Sequence, residues 1–157
     1  KPVFEIHLES WNDALHICNR NHNNLPELAI LIELVRKYKI HPIIYSLEYW
    51  KELVDLSDIG IVKSHGVHHY YDEKADRSPY FNQEGLPGLC GGFFFRLLPL
   101  WIIKKEIART GIFYIHPHDL DETHPRLKNY FLNWKRHVGL RGAKAKLEKL
   151  LQEVKFE

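Results

Sequence analysis

Several features that define whole classes of protein are missing from this sequence. It has only two cysteines, Cys18 and Cys90, which fit neither a disulfide framework nor a zinc-finger spacing, so we expect two reduced core residues. No window reaches the roughly 18 apolar residues that a membrane span requires, and no basic and apolar secretory signal opens the chain. Reduced cysteines favour a cytoplasmic setting, and the lack of a long apolar run predicts no membrane span. The sequence also contains no Met, so we expect its first residue to be either a processed end or a chosen boundary of the chain.

A strong charge of either sign is also missing. The 22 basic and 20 acidic residues leave a formal net charge of +2, which gives no overall attraction to nucleic acid or to an anionic membrane. We therefore expect no nucleic-acid partner. The basic excess is local and is concentrated after Arg126. A chain of 157 residues with 45% hydrophobic content is sufficient for one domain over residues 1–157 with a substantial core.

Hydrophobic periodicity predicts alternating strands and helices. Val3–Leu8 alternates apolar and polar residues and predicts a strand that ends at Glu9. The patterns further along the chain predict strands at 41–46, 59–62 and 112–115 and helices at 26–38, 47–56, 100–109 and 143–154. The strand at 59–62 is β-branched and should be buried. This β-α-β-α-β order favours an α/β fold with a parallel sheet and crossover helices, interrupted by an irregular excursion over 72–92.

Chemically active side chains follow three of the predicted strands. Glu9 follows the first strand, His65 and His69 follow the third, and His116 and His118 follow the last. The carboxyl ends of parallel strands meet at one edge of a sheet, where active sites of such proteins usually lie. His65 and His69 are four residues apart, so one helical turn would bring both rings to a common metal ion. Chance pairing among eleven histidines, and hydrogen bonding of His116 to backbone, are the plain alternatives.

Two histidines and a carboxylate form the ligand set of a catalytic divalent metal, and zinc fits such a set best. Three protein ligands leave a coordination position open, which is how such an ion polarises a carbonyl and activates water. A further histidine can then act as general acid, because its pKa lies near neutral pH. A metal hydrolase of another ester or of a phosphate is less favoured, because the sequence has no Gly-rich phosphate loop and no carboxylate cluster for two metals.

The segment at 64–69, Ser-His-Gly-Val-His-His, resembles the metal-binding motif of the NodB-type polysaccharide deacetylases, carbohydrate esterase family 4. Later segments are similar to the C-terminal half of a subgroup associated with bacterial surface and exopolysaccharide gene clusters; they lie at 91–99, 113–117, 125–128 and 137–141 with 145–148. The resemblance covers most of the chain.

The resemblance implies a fold, an activity and a cofactor. The fold would be a compact, distorted (β/α) barrel, and a gap is expected because full barrels need about 200 residues or more. A second subunit could close that gap, which leaves a homo-oligomer open. The implied activity is metal-dependent removal of an acetyl group from a sugar of a bacterial surface polysaccharide or its precursor. The implied cofactor is a divalent metal, with zinc the expected ion.

Family positions also imply roles for individual residues. Glu9, His65 and His69 would be the metal ligands, and His116 would be the general acid. His7 falls where the family has its aspartate base in one alignment register, whereas Leu8 falls there in the other. Neither register supplies an aspartate, and Asp13 is an alternative carboxylate if the first strand ends early.

The substrate site is predicted from four further residues. Arg77 and Tyr80 belong to a segment that resembles the family's Arg-x-Pro-Tyr motif, although it lies closer to His69 than in the family. Trp11 is a candidate for stacking on the sugar, and His118 is expected to line the sugar site. Because the aspartate base is missing, a catalytically inactive relative that binds a glycan or a partner is the alternative to an enzyme.

Overall fold

A computed structural model describes residues 1–9, 24–64, 89–124 and 126–157 of the protein. These residues form a mixed α/β structure. The strands are β1 (Val3–Leu8), β2 (Ile43–Ser46), β3 (Ile61–Ser64) and β4 (Ile112–Ile115). The helices are α1 (Leu25–Lys37), α2 (Glu48–Leu53), α3 (Gly92–Leu97), α4 (Leu100–Thr110), α5 (Tyr130–His137) and α6 (Ala143–Glu153), and a 3-10 helix covers Pro117–Leu120.

The four strands form one parallel sheet in the order β3-β2-β1-β4, which confirms the predicted parallel arrangement. Pairing places Ile6 opposite Ile44 of β2 and opposite Ile115 of β4. The chain thus moves from β1 through β2 to β3 in one direction and returns to the other side of β1 for β4. Strand order reverses at this point, and ligand crevices of parallel sheets form beside the carboxyl ends of such strands.

One face of the sheet is apolar and packs on helices. Phe4, Ile6 and Leu8 of β1 are buried in a cluster with Phe113 and Ile115 of β4. This cluster also contains the apolar stripes of α1, α4 and α6. The stripe of α6 recurs at Leu147, Leu150 and Leu151, the spacing that places side chains on one side of a helix. Burial of this face provides most of the hydrophobic stabilisation of the described fold.

The other face of the sheet is polar and aromatic. Glu5, His7 and Glu9 alternate with the apolar residues of β1, so they project to the opposite side. The His7 ring lies 5.1 Å from the ring of Tyr45 and 5.4 Å from that of Tyr114, measured between centroids. Buried polar side chains are costly unless they are partnered. β1 and the residue that follows it carry three such side chains on one face, and packing alone does not require this pattern.

The third strand differs from its prediction in position and in burial. It covers Ile61–Ser64 instead of 59–62, because Ile59 and Gly60 belong to the turn that follows α2 and bond back to the carbonyl of Leu56. The predicted burial is wrong for Ile61, whose side chain is 62% exposed. β3 stands at the end of the four-stranded order and pairs with β2. The β-branched residues of β3 therefore indicate a preference for strand structure, but they do not indicate a central position in the sheet.

Cys90 and the end of the helix predicted at 100–109 agree with the structure, whereas Cys18 lies outside the described residues. Cys90 is a buried free thiol, and burial raises its pKa. Gly111 ends α4 with φ of 74°, the left-handed conformation that favours glycine. Within the described residues, no helix combines the length and the apolar character that crossing a membrane would need.

Candidate active site

The carboxyl ends of β1 and β4 bring Glu9 and His116 together. Glu9 follows β1 directly, and His116 follows β4, which is the hydrogen-bonded neighbour of β1. His116 donates from Nε2 to Glu9 Oε1 at 2.5 Å. This pair lies where the strand order reverses, so sheet topology accounts for a contact between residues 107 positions apart in the sequence.

A second carboxylate holds the other side of the His116 ring. His116 Nδ1 donates to Asp119 Oδ2 at 2.9 Å, and the His116 backbone N–H donates to the same oxygen at 3.1 Å. Pro117 starts the 3-10 helix that carries Asp119, and its fixed φ suits the first position of a helix. Asp119 thus caps this short helix and orients the imidazole at once. Few rotations remain open to a ring with both nitrogens occupied.

Arg96 of α3 continues the chain of charges on the far side of Asp119. Its Nε donates to Asp119 Oδ1 at 2.9 Å, with both side chains buried. Its Nη1 donates to the carbonyls of Arg136 at 2.8 Å and Val138 at 2.7 Å, at the C-terminus of α5. A cation is favourable at a helix C-terminus, and only the planar guanidinium reaches a carboxylate and two carbonyls together. Arg96 therefore connects the orientation of His116 to the position of α5.

The backbone of Gly139 lies directly against Arg96. Gly139 has φ of 70°, and a Cβ at this position would lie 2.2 Å from the Arg96 carbonyl oxygen. Both the conformation and the close approach require glycine. The turn after α5 is thereby fixed against α3.

His118 lies beside His116 in a parallel stack. The two rings have centroids 4.6 Å apart and an angle of 7° between planes. His118 Nδ1 donates to the backbone carbonyl of Glu9 at 3.1 Å. This contact ties the 3-10 helix to the end of β1 and supports the position of Glu9.

Opposite charges determine the protonation of His116. Burial lowers the pKa of His116, but the carboxylates of Glu9 and Asp119 outweigh burial and raise the pKa to about 10. Burial raises the pKa of Asp119, but the hydrogen bond and positive charge of His116 outweigh it and hold the pKa below its usual range. The ring is therefore a cation between two anions at neutral pH.

The two neighbouring histidines titrate in the opposite direction. Burial, together with the positive charge of His116, lowers the pKa of His118 to about 3. Burial also lowers the pKa of His7, and the hydrogen bond of its Nε2 to Glu5 at 3.1 Å offsets this only in part. A charged His116 thus lies between two neutral imidazoles, with the His7 ring centroid 5.5 Å away.

The buried charges form the floor of a cleft of about 530 Å³. Its polar part is lined by Glu9, His116, His118, Asp119 and Arg96. Its wall is aromatic and comes from α3, β4 and α5; the rings are Phe93, Phe94, Tyr114, Phe131 and Trp134. A few convergent polar groups within an apolar and aromatic wall are typical of a ligand site.

The same floor offers atoms that could hold a metal. His116, His118 and Asp119 each present one ligand-type atom, and these atoms lie within 4.8 Å of one another. Asp119 is already bonded to His116 and Arg96, so a metal there would have to displace strong ion pairs. Glu9 is also bonded to His116, but it has no such bond to Arg96, and its carboxylate at a strand end is an oxygen donor of the kind that zinc accepts.

Some of the predicted site residues lie within the part of the chain that the structure describes, and others do not. Trp11, His65, His69, Arg77 and Tyr80 lie outside them. Glu9 and His116 meet, and His118 lines the same cleft. His7 is only 2% exposed and is not among the described residues that line the cleft. The roles assigned to all of these residues remain predictions.

Sequence reasoning missed Arg96 and the aromatic residues of α5. Arg96 follows three phenylalanines in an apolar run, and no local pattern indicates a carboxylate partner 23 residues away. Phe93 and Phe94 are half-buried and line the cleft, whereas Phe95 is fully buried. For Asp119 a signal existed, because an acidic residue three positions after a strand end can cap a helical turn.

Comparison with known proteins gives one family match. Residues 82–157, just under half of the chain, match a family described as a domain of unknown function, DUF3473. That domain occurs at the C-terminus of polysaccharide deacetylases. The matched region contains Arg96, His116, Asp119 and α5 but not Glu9. No curated protein and no solved structure gave a significant match.

Proposed function

We propose that the chain is a metal-dependent deacetylase that removes an acetyl group from a sugar of a bacterial surface polysaccharide or its precursor. The proposal rests on a series of ion-paired side chains at the floor of an aromatic cleft. Glu9 is bonded to His116, His116 to Asp119, and Asp119 to Arg96. A protonated imidazole, fixed by two carboxylates and facing a ligand-sized cleft, has the properties of a general acid.

His116 would protonate the leaving nitrogen or oxygen as the bond to the acetyl carbon breaks. The transferable proton would be the one on Nε2, which is bonded to Glu9. Both His116 and Glu9 line the cleft. Asp119 would stabilise the charged ring before transfer and hold its orientation afterwards. Arg96 also lines the cleft, but its guanidinium is bonded to Asp119 and to carbonyls at the end of α5, so it would be a positioning residue.

Glu9 would hold a divalent metal, with zinc the expected ion, together with the predicted ligands His65 and His69. When bound, such an ion supplies Lewis-acid polarisation of the acetyl carbonyl. His7 would act as the base. Its pKa is lowered and its Nε2 faces Glu5, so a neutral ring would accept a proton at Nδ1.

The two unlike faces of the sheet support a barrel for the complete fold. In a (β/α) barrel the outward face of each strand packs on helices and the inward face fills the interior. Phe4, Ile6 and Leu8 pack with helices, whereas Glu5 and His7 project to the side that carries Tyr45 and Tyr114. The match to a domain found at the C-terminus of polysaccharide deacetylases supports the same assignment.

A second candidate is a catalytically inactive relative that binds a glycan. The burial of His7, which stands at the expected base position, favours this candidate. Replacement of His7 by Ala tests the base assignment. Turnover that stays unchanged in this variant would show that His7 is not the base.

The deciding experiment measures zinc content and then acetate release from N-acetylated and O-acetylated oligosaccharides. The variant His116→Gln should lower turnover by at least about a hundredfold, the usual contribution of general acid catalysis. Glu9→Gln should lower both zinc binding and turnover, because it removes a ligand of the ion that polarises the carbonyl. His41→Gln and Glu33→Gln are matched controls, because both residues are exposed, and both should retain full turnover.

Acetate release that survives in His116→Gln would contradict the acid assignment. A protein that binds zinc but releases no acetate from any of these substrates would contradict the deacetylase and favour the inactive relative. Zinc binding that does not change in Glu9→Gln would remove Glu9 from the ligand set.

A further inference from the structure

The sequence between Glu122 and Glu148 has an unusual charge composition. It contains seven lysines and arginines and no acidic residue, in a protein whose total charge is nearly balanced. This segment includes α5 and its flanking turns. Five of these seven side chains are exposed, whereas Arg136 is buried and Lys146 is half-buried. A local excess of positive charge on the surface attracts anionic ligands, most strongly at low salt.

The exposed side of α5 is aromatic as well as basic. Tyr130 is 87% exposed, Phe131 is 64% exposed and Trp134 is 44% exposed. Large exposed rings on consecutive helical turns leave apolar area in contact with water, which is typical of a binding surface. The Lys135 ammonium lies 5.6 Å from the centroid of the Phe93 ring, so cationic and aromatic groups are interleaved here.

A second cleft, of about 380 Å³, lies on this helix. Arg126, Tyr130, Asn133, Trp134, His137 and Val138 line it. Asn133 Oδ1 accepts from the Leu127 backbone N–H at 2.8 Å, and the His137 ring nitrogens contact the carbonyls of Asn133 at 2.8 Å and His124 at 3.0 Å. These contacts hold the polar lining in place before any ligand arrives, which lowers the entropic cost of binding.

The two clefts share Trp134. A ligand that extends from the His116 floor past the Trp134 ring would enter the second cleft without leaving the protein surface. Arg96 bonds to the C-terminal carbonyls of α5, so the second cleft is fixed relative to His116. The pair of clefts therefore suits a chain of repeated units and not a single small molecule.

We propose that the second cleft, formed by Arg126, Tyr130, Asn133, Trp134 and His137, binds a further unit of an acidic glycan, a sugar that carries a carboxylate. The apolar C–H face of a pyranose packs on the Trp134 ring, and Arg126 takes the carboxylate with paired hydrogen bonds. The inference rests on the proposed function, because it defines the substrate class of the same cleft as an anionic polysaccharide.

The observations favour a glycan over nucleic acid. Arg126 is the only lysine or arginine that lines the second cleft within the described residues, so this cleft suits a ligand with one acidic group beside a face that stacks on Trp134. The aromatic rings lead from there into a cleft whose floor contains the carboxylates Glu9 and Asp119. A nucleic acid would bring a phosphate to every position along this path, including the floor with Glu9 and Asp119, whereas a glycan can place an uncharged unit there and its carboxylate beside Arg126.

The test is calorimetric titration of the full chain with a short oligogalacturonate, a neutral chito-oligosaccharide and an oligothymidylate. We expect the oligogalacturonate to bind most tightly and to lose affinity as salt increases. Trp134→Leu and Arg126→Gln should each weaken that binding about tenfold. Trp101→Leu and Arg36→Gln are the matched controls, since both residues are exposed on other helices, and both should bind normally.

Three outcomes would overturn the inference: no oligogalacturonate binding, equal weakening in the control variants, or tighter binding of oligothymidylate with the same dependence on Trp134 and Arg126. The titration does not require turnover. A protein that binds oligogalacturonate but releases no acetate would contradict only the deacetylase, and one that releases acetate without such binding would contradict only this inference.

Discussion

The two faces of the sheet differ in what holds them. On one face, Phe4, Ile6 and Phe113 pack with helices by contact area alone, without a charge among them. On the other face, at the carboxyl end of the strands, Glu9 and His116 are held by directional bonds within a buried ionic chain. The difference separates two tasks: the apolar face stabilises the fold, and the polar face keeps chemically reactive groups oriented at a cost in desolvation.

The largest effect is expected on the apolar face. Phe113→Ala should lower the free energy of unfolding by about 4 kcal/mol, because Phe113 is fully buried and its removal leaves a cavity. Chemical denaturation measures the change. Phe131→Ala is the matched control, since Phe131 is mostly exposed, and its effect should stay within about 0.5 kcal/mol. Equal effects in both variants would show that Phe113 is not part of the main core.

A smaller effect is expected where the ionic chain joins α3 to α5. Arg96→Lys should lower the free energy of unfolding by about 3 kcal/mol, because an ammonium keeps the charge but cannot bond Asp119 and two carbonyls together. Arg109→Lys is the control, as Arg109 forms an exposed pair with Glu106. A stable Arg96→Lys protein would show that charge alone holds the chain together.

The ionic chain should also make stability depend on pH. In metal-free protein with a chelator present, stability should fall above pH 6.5, the ordinary pKa of His, and continue to fall toward pH 10, since the pKa of His116 is raised to about 10. The slope contributed by one group is at most about 1.4 kcal/mol per pH unit. Folded His116 keeps its proton over this range, whereas the unfolded chain releases it.

On the acid side the sign reverses. The pKa of His118 is lowered to about 3, so its contribution is complete above pH 6.5 and is lost as pH falls toward 3. Denaturant midpoints between pH 4 and pH 10 should therefore show a maximum near pH 6.5. His116→Gln should flatten the alkaline decline and leave the acid decline in place. A profile of the same shape in this variant would assign the alkaline decline to another group.

The smallest effect on stability is expected on the exposed rings. Trp134→Leu should change the free energy of unfolding by less than about 0.5 kcal/mol, because nearly half of the ring is in solvent. Trp50→Leu, at a fully buried ring, is the contrasting variant and should cost several times more. Large destabilisation by Trp134→Leu would mean that this ring holds the fold and is not free to serve a ligand.

Local sequence patterns predicted much of the fold, because strands and helices depend on periodicity and end signals. Val3–Leu8 and Ile112–Ile115 formed strands as expected, and α4 ended within one residue of the end predicted at 109. The burial of the third strand was predicted wrongly. Ile61 is a residue type common in central strands, but it lies in β3, at the end of the four-strand order, and is exposed. Strand order depends on long-range pairing, which periodicity does not encode.

The sequence alone determined which residues alternate to each face of β1 and which polar groups follow each strand, because a strand has a period of two and its end is locally marked. The sequence alone also determined the local charge around α5, where lysines and arginines occur without any acidic residue. Tertiary structure alone decided that Glu9 bonds His116, that Arg96 joins Asp119 to α5, and that Trp134 stands between two clefts. These contacts join residues far apart in the chain, and they exist because β4 pairs with β1 and α5 packs against α3.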